Sequence, residues 1–300
     1  MILSDFRNVF MVFLRYHLIL SVLMKTITLP DALNIENGHP VQIFDYHSSR
    51  EMSRQQIVLN QNTISFLIEG KKEVLFNNSA LSIDHSKFII MRNGHCLMTE
   101  RLSEVNNYRS LLLFFNNESL ARFIRDGGFS KPLQSDNPSV FSFKYDEFIL
   151  RFVQSLLDIA MLSEDTQHRL LEIKFREIMW YLVELYGPDF LYALVEKNDD
   201  VTQRFIRTVE SNQLSRLTLK ELAFLCNMST STFKREFEKH YAESPIKWFQ
   251  NKRLEHAHYL LQHQQKISSE IYVEVGYENL SSFIHAYKAK YGVTPKQHHK

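Results

Sequence analysis

The chain has 300 residues, 44% hydrophobic and 23% charged, an ordinary globular composition with room for about two domains. Its 8 glycines and 7 prolines argue against long disordered linkers, and its two cysteines, Cys96 and Cys226, lack CxxC spacing; this excludes a disulfide framework and fits a reducing, cytoplasmic setting. The formal net charge of +1 is unevenly spread, with 15 Lys+Arg against 11 Asp+Glu in residues 198–300 and 20 against 23 elsewhere, so the C-terminal third is the part suited to an anionic partner.

Residues 1–23 are apolar but interrupted by Asp5, Arg7, Arg15 and His17. They offer no run of about 18 apolar residues for a membrane span, and no positive start or small-residue cleavage site of a secretory signal. An amphipathic helix, a poor membrane anchor and translated upstream sequence with Met24 as the start are the three readings. The last is favoured, and no membrane association is expected.

From 24 to 116 the pattern is β-like. VQIFDY, QQIVL, TISFLIEG, KEVLFN, KFIIM and RSLLLFF are rich in β-branched and aromatic residues, with turn signals at Glu69-Gly70-Lys71, Asn77-Asn78-Ser79 and Asn93-Gly94. Short strands at this spacing predict a compact antiparallel β-barrel rather than two sheets. His39, His47, His85 and His95 raise a metal- or ligand-processing barrel enzyme as the alternative, but no HxH followed by Glu is present, and neither metal nor cofactor is expected.

Between 117 and 197 the apolar period becomes helical. A short helix ends at Gly127-Gly128. Phe148, Phe152, Leu156 and Ile159 form one stripe; Leu171, Phe175, Ile178, Leu182 and Leu185 form another, stopped by Gly187-Pro188. Either these helices pack on the barrel or they make a dimer interface.

Residues 198–300 contain an internal repeat, the first thing to seek in any sequence. Adding 50 takes Ser231 to Ser281, Phe233 to Phe283, Phe237 to Tyr287, Tyr241 to Tyr291 and Pro245 to Pro295; upstream, Thr218 meets Ser268 and Ala223 meets Val273. Thr218 with Glu221 is a capping box, and a helix over TLKELAFLC, the turn NMS and a second helix make a helix-turn-helix. Ser268 is expected to cap the matching helix of the second unit, and Gly276 to end it. Pro245 starts a long connecting helix, with Ile246, Phe249, Arg253, Ala257, Leu260 and Leu261 along it.

In each second helix the aromatics at i, i+4 and i+8 face inward. The opposite faces carry Ser231, Thr232, Lys234, Arg235 and Lys239, and Ser281, Ser282, His285, Lys288 and Lys290. Such side chains donate to base edges and phosphates, and a helix fits the major groove of double-stranded DNA. Ser231–Lys234 also fits S-x-x-K, the acyl-enzyme pattern; with no companion motif it is read as part of the recognition helix, and the chain as no enzyme.

VGYENLSSFIHAYKAKYGVTP, with Gly276, Tyr277, Asn279, Ser281, Phe283, Tyr287, Lys288, Gly292, Thr294 and Pro295, and KRLEHAHYLL before it, resemble the AraC-type transcription regulators. The resemblance covers about residues 200–298 and implies two helix-turn-helix units on a joining helix. It implies base contacts from Ser231, Lys234, Arg235, Ser281, Ile284 and His285; Lys239, Lys288 and Lys290, from their place on the exposed faces, are expected at phosphates. His285 stands where the family usually has Arg. The β-region resembles the cupin-like domain of such regulators. The implied partners are DNA, RNA polymerase, a small molecule or regulatory protein at the N-terminal domain, and a second copy of the chain; activation is the commoner role. The overall expectation is an α+β protein: 24–116 barrel, 117–197 helical packing or dimerisation region, 198–300 tandem helix-turn-helix domain.

Overall fold

The computed structural model of the chain describes residues 26–33, 35, 39–77, 79–130, 138–195, 200–264 and 266–298; the segment 1–23 lies outside them. Ten strands are described: β1 (Ile27–Leu29), β2 (Val41–Ser48), β3 (Met52–Leu59), β4 (Asn62–Glu69), β5 (Lys71–Leu75), β6 (Ala80–Asp84), β7 (Lys87–Met91), β8 (Gly94–Arg101), β9 (Tyr108–Phe115) and β10 (Val140–Lys144). They form two five-stranded sheets, ordered β1-β3-β8-β5-β6 and β10-β7-β4-β9-β2. The N-terminal β-domain expected from the sequence is present, with its strands in two sheets rather than one.

Two features account for the difference. First, β10 comes from the region read as purely helical, and it extends the second sheet by pairing antiparallel with β7, from Val140 opposite Met91 to Lys144 opposite Lys87. Second, period-2 alternation gives the second sheet two apolar faces. Along β9, Leu111, Leu113 and Phe115 join Phe66 and Phe88 in one core, whereas Tyr108 joins Ile57, Met91, Cys96 and Met98 in a core between the sheets.

Helices α1 (Asn117–Asp126), α2 (Glu147–Ile159), α3 (Glu164–Tyr186) and α4 (Asp189–Leu194) cover the outer face of that sheet. Phe152, Leu156 and Ile159 of α2 and Leu171, Phe175, Ile178 and Leu182 of α3 are buried there. Burial of each such side chain is worth about 1.5–3 kcal/mol. The two stripes are therefore consumed within the chain. Leu185, assigned to the same stripe, is instead 50% exposed.

The C-terminal part holds α5 (Val201–Ser211), α6 (Leu219–Leu225), α7 (Thr230–Tyr241), α8 (Pro245–His263), α9 (Ser268–Ile271), α10 (Leu280–Tyr291) and α11 (Pro295–His298). They enclose two separate cores, and α8 contributes to both. Phe249 enters the first with Phe205, Phe233 and Phe237; Leu254, Ala257, Leu260 and Leu261 enter the second with Ile271, Phe283 and Tyr287. Pro245 and Phe249, four residues apart, set the buried face of the first turn. Ile246, read as a core position, points about 100° away and is 67% exposed.

Candidate nucleic-acid interface

Helix α7 begins at Ser229, whose hydroxyl accepts the Thr232 N–H at 3.1 Å and lies 2.9 Å from Ser231 Oγ and 2.8 Å from Thr232 Oγ1. Helix α10 begins at Asn279, whose Oδ1 accepts the Ser282 N–H at 2.8 Å. Each cap satisfies an N–H that the helix cannot. The caps are 50 residues apart, as are the left-handed C-caps Ala242 and Gly292.

The preceding helices repeat at 49 instead. Glu221 caps the Thr218 N–H and Glu270 the Ile267 N–H. Cys226 N–H donates to the Leu222 carbonyl and Val275 N–H to that of Ile271, and the turn is entered through left-handed Asn227 in one unit and Gly276 in the other. The turn of the second unit is therefore one residue longer. This corrects the uniform 50-residue pairing upstream of the turn: Ile267, not Ser268, is the N-cap of α9, and Val273, paired with buried Ala223, is 46% exposed. Gly276 closes the turns that follow α9, and a Cβ there would lie 3.2 Å from Arg253 Cδ.

With Phe233, Phe237, Phe283 and Tyr287 wholly buried, Ser231, Lys234, Arg235 and Lys239 are exposed on α7, and Ser281, Ser282, His285 and Lys288 on α10. Thr232 is partly exposed. The Arg235 side chain is 75% exposed and, among the described residues, meets only the distant carboxylate of Glu236, at 3.9 Å. Ile284 is half-buried against the second core. Lys290 differs from the others: its ammonium donates to the Asn251 carbonyl at 2.9 Å and to Glu255 at 3.0 Å, both on α8.

The β-domain touches the first unit. Arg54 sits in the left-handed region at a bulge of β3; its Nη1 donates to the Arg216 carbonyl at 3.1 Å and lies 3.7 Å from Glu221 Oε1. His95 of β8 meets the Phe224 ring edge-on, 4.9 Å between centroids. Burial, with Arg204 nearby, holds the His95 imidazole below its usual pKa. Sequence reasoning missed this contact, since nothing in MSRQQ marks Arg54 as a bridge. Of the other barrel histidines, His39 stacks on His168 and His47 lies 3.2 Å from Asp45. Among the described residues, no group of three or more His, Cys, Asp or Glu is placed to hold a metal, and no helix is long and apolar enough to cross a membrane.

Comparison with known proteins gives two family profiles, one described as the ExsA N-terminal regulatory domain over residues 62–194 and one as a helix-turn-helix domain over residues 222–300. The virulence regulon transcriptional activator VirF of Yersinia enterocolitica is 24% identical over 243 residues, covering 79% of this chain and 89% of its own. The HTH-type transcriptional regulator ExsA of Pseudomonas aeruginosa is 21% identical over 244 residues, covering 80% and 86%. A crystal structure of apo ToxT from Vibrio cholerae aligns over 88% of this chain and 98% of its own, with 11% identity and a TM-score of 0.43.

Proposed function

The chain belongs to the AraC-type transcription regulators, and we propose that it activates transcription by laying the N-terminal ends of α7 and α10 into successive major grooves of one DNA site. The observation that carries this reading is the pair of capped helices, each with buried aromatics on one face and hydroxyl and basic side chains on the other. Ser231, Thr232, Lys234 and Arg235 read bases in one groove; Ser281, Ser282, Ile284 and His285 read the other, with Ile284 suited to a thymine methyl. Lys239 and Lys288 meet phosphates. Lys290, bound to Glu255, mainly braces α10 against α8.

In this reading the N-terminal domain, matched by a regulatory-domain profile, governs the first unit through the Arg54 and His95 contacts. Its input is a small molecule or a regulatory protein. The protein acts in the cytoplasm, at the nucleoid, as a homodimer that also contacts RNA polymerase.

A salt titration of duplex binding tests the assignment. The logarithm of affinity falls linearly with the logarithm of salt, and Lys239→Ala or Lys288→Ala lowers that slope by about 1. An unchanged slope in both variants removes them from the phosphate contacts.

A further inference from the structure

The two units differ behind their recognition helices. Tyr287 of α10 is wholly buried, and its hydroxyl lies 2.7 Å from His258 Nδ1 on α8 and 2.8 Å from His298 Nδ1 on α11. The repeat locates the corresponding positions of the first unit. Downstream of the turn the step is 50, which takes Tyr287 to Phe237 and His298 to Trp248. Upstream it is 49: buried Phe205, Thr208 and Asn212 fall on buried Leu254, Ala257 and Leu261, and His258 falls on Val209. Val209, Phe237 and Trp248 all belong to the first core, with the Phe237 and Trp248 rings edge-on at 5.6 Å. One unit therefore backs its recognition helix with three apolar side chains. The other uses three polar ones, two of them histidines, whose charge changes near neutral pH.

A phenol hydroxyl has one proton to give. Between two Nδ1 atoms it donates to one and accepts from the other, so only one of the two neutral imidazoles carries its proton on Nδ1. An added proton turns the accepting imidazole into a donor as well. Two N–H groups then face one oxygen, and the hydroxyl hydrogen loses its acceptor. A further proton would set two imidazolium rings 4.9 Å apart.

The surroundings offer such charge little compensation. Around His258 stand His263 on its own helix, Tyr287, Lys290 and Tyr291 on α10, and His298 on α11. The carboxylate three residues away on α8 is Glu255, which Lys252 and Lys290 already hold at 3.2 and 3.0 Å. On α9, Glu270 caps the Ile267 N–H and Glu274 pairs with Lys266. Burial, then His298, His263 and Lys290, keep the His258 pKa below its usual value. A proton taken up in acid is thus gained at the expense of the Tyr287 contact.

We propose that His258 and His298 are positioning residues for DNA readout. They clasp Tyr287, fix α10 against α8, and so present Ser281, Ser282 and His285 to the second groove. Acid opens this clasp while the apolar first unit keeps its hold, so site preference shifts toward the first block. The Lys290 bonds to Asn251 and Glu255 are a second tether, so acid loosens α10 rather than releasing it. The consequence for DNA rests on the function proposed above; the clasp itself does not.

Amide exchange of the full chain at pH 7.5 and 5.5, corrected for the intrinsic pH dependence of exchange, tests the clasp. The parent chain is compared with His258→Gln, which offers the hydroxyl a neutral partner, and with Tyr287→Phe, which copies the first unit. The parent should lose protection severalfold across α10 on acidification, with α7 unchanged. His258→Gln should keep α10 protected at both pH values, and Tyr287→Phe should show reduced protection there already at pH 7.5. If His258→Gln fails to fold, His298→Gln takes its place with the same pattern expected. Affinity for a duplex selected from a random pool is measured alongside. The parent and His258→Gln both carry His285, so its charging cancels in the ratio of their affinities, which should fall severalfold from pH 7.5 to 5.5. Acid losses equal in α7 and α10, losses equal in parent and His258→Gln, or an unchanged affinity ratio would overturn the proposal. Absence of duplex binding by every chain counts against the DNA reading alone, and exchange then decides the clasp.

Discussion

Arg54 and Glu221 join the two halves of the chain: the Arg54 guanidinium lies 3.7 Å from Glu221 Oε1, while Glu221 Oε2 accepts from the Thr218 N–H at 2.6 Å and from Thr218 Oγ1 at 2.8 Å. The carboxylate that starts the first helix-turn-helix unit is thus shared with the regulatory domain. Arg54→Ala should increase amide exchange across α6 while leaving α10 unchanged. Global stability should fall by less than about 1 kcal/mol, because the Arg54 side chain is half-exposed. Exchange across α6 equal to that of the parent chain would show that the contact does not restrain the unit.

Ala242 and Gly292 end the two recognition helices in the left-handed region, at φ 51° and 77°. An L-residue there carries a backbone cost that glycine does not. Ala242→Gly should raise stability by about 1 kcal/mol in urea unfolding, and Gly292→Ala, whose Cβ meets nothing within 4 Å, should lower it by about as much. A loss of stability in Ala242→Gly would mean that the Ala242 methyl packs more productively than its conformation costs.

In the second unit the Tyr287 hydroxyl lies 2.7 Å from His258 Nδ1 and 2.8 Å from His298 Nδ1. Burial, with His298, His263 and Lys290 nearby, holds His258 below its ordinary value of 6.5. Below pH 6.5 the unfolded chain takes up this proton before the folded one, so the contribution is present above that pH and lost as the pH falls. Acidification from pH 7.5 to 5.5 should therefore destabilise the parent chain more than His258→Gln. Equal losses in urea unfolding would remove His258 from the account.

Legibility in the sequence followed periodicity. The aromatics Phe233, Phe237, Phe283 and Tyr287 repeat at helical spacing and name their own buried face, so the exposed Lys234, Arg235 and His285 could be placed in advance. The 49-residue register of the first helices was masked because a one-residue difference in the turn leaves the stronger downstream pattern intact. Strand β10 is five residues long and gains its identity only from pairing with β7. Lys72 was readable in principle: alternation in KKEVL sets it on the same face as Val74, yet a lysine in such a place looks like solvent. Arg54 carried no signal, since its role depends on α6, more than 160 residues away.

The central claim is that one chain reads two grooves. Selection of a site from a randomised duplex pool by the full chain, repeated with Arg235→Ala and His285→Ala, tests it most directly. The account predicts two enriched blocks about one helical turn, or 10–10.5 base pairs, apart. Arg235→Ala should relax only the first block, at a cost of about 1–3 kcal/mol, and His285→Ala only the second. One enriched block that neither substitution alters, or no enrichment at low salt, would contradict it.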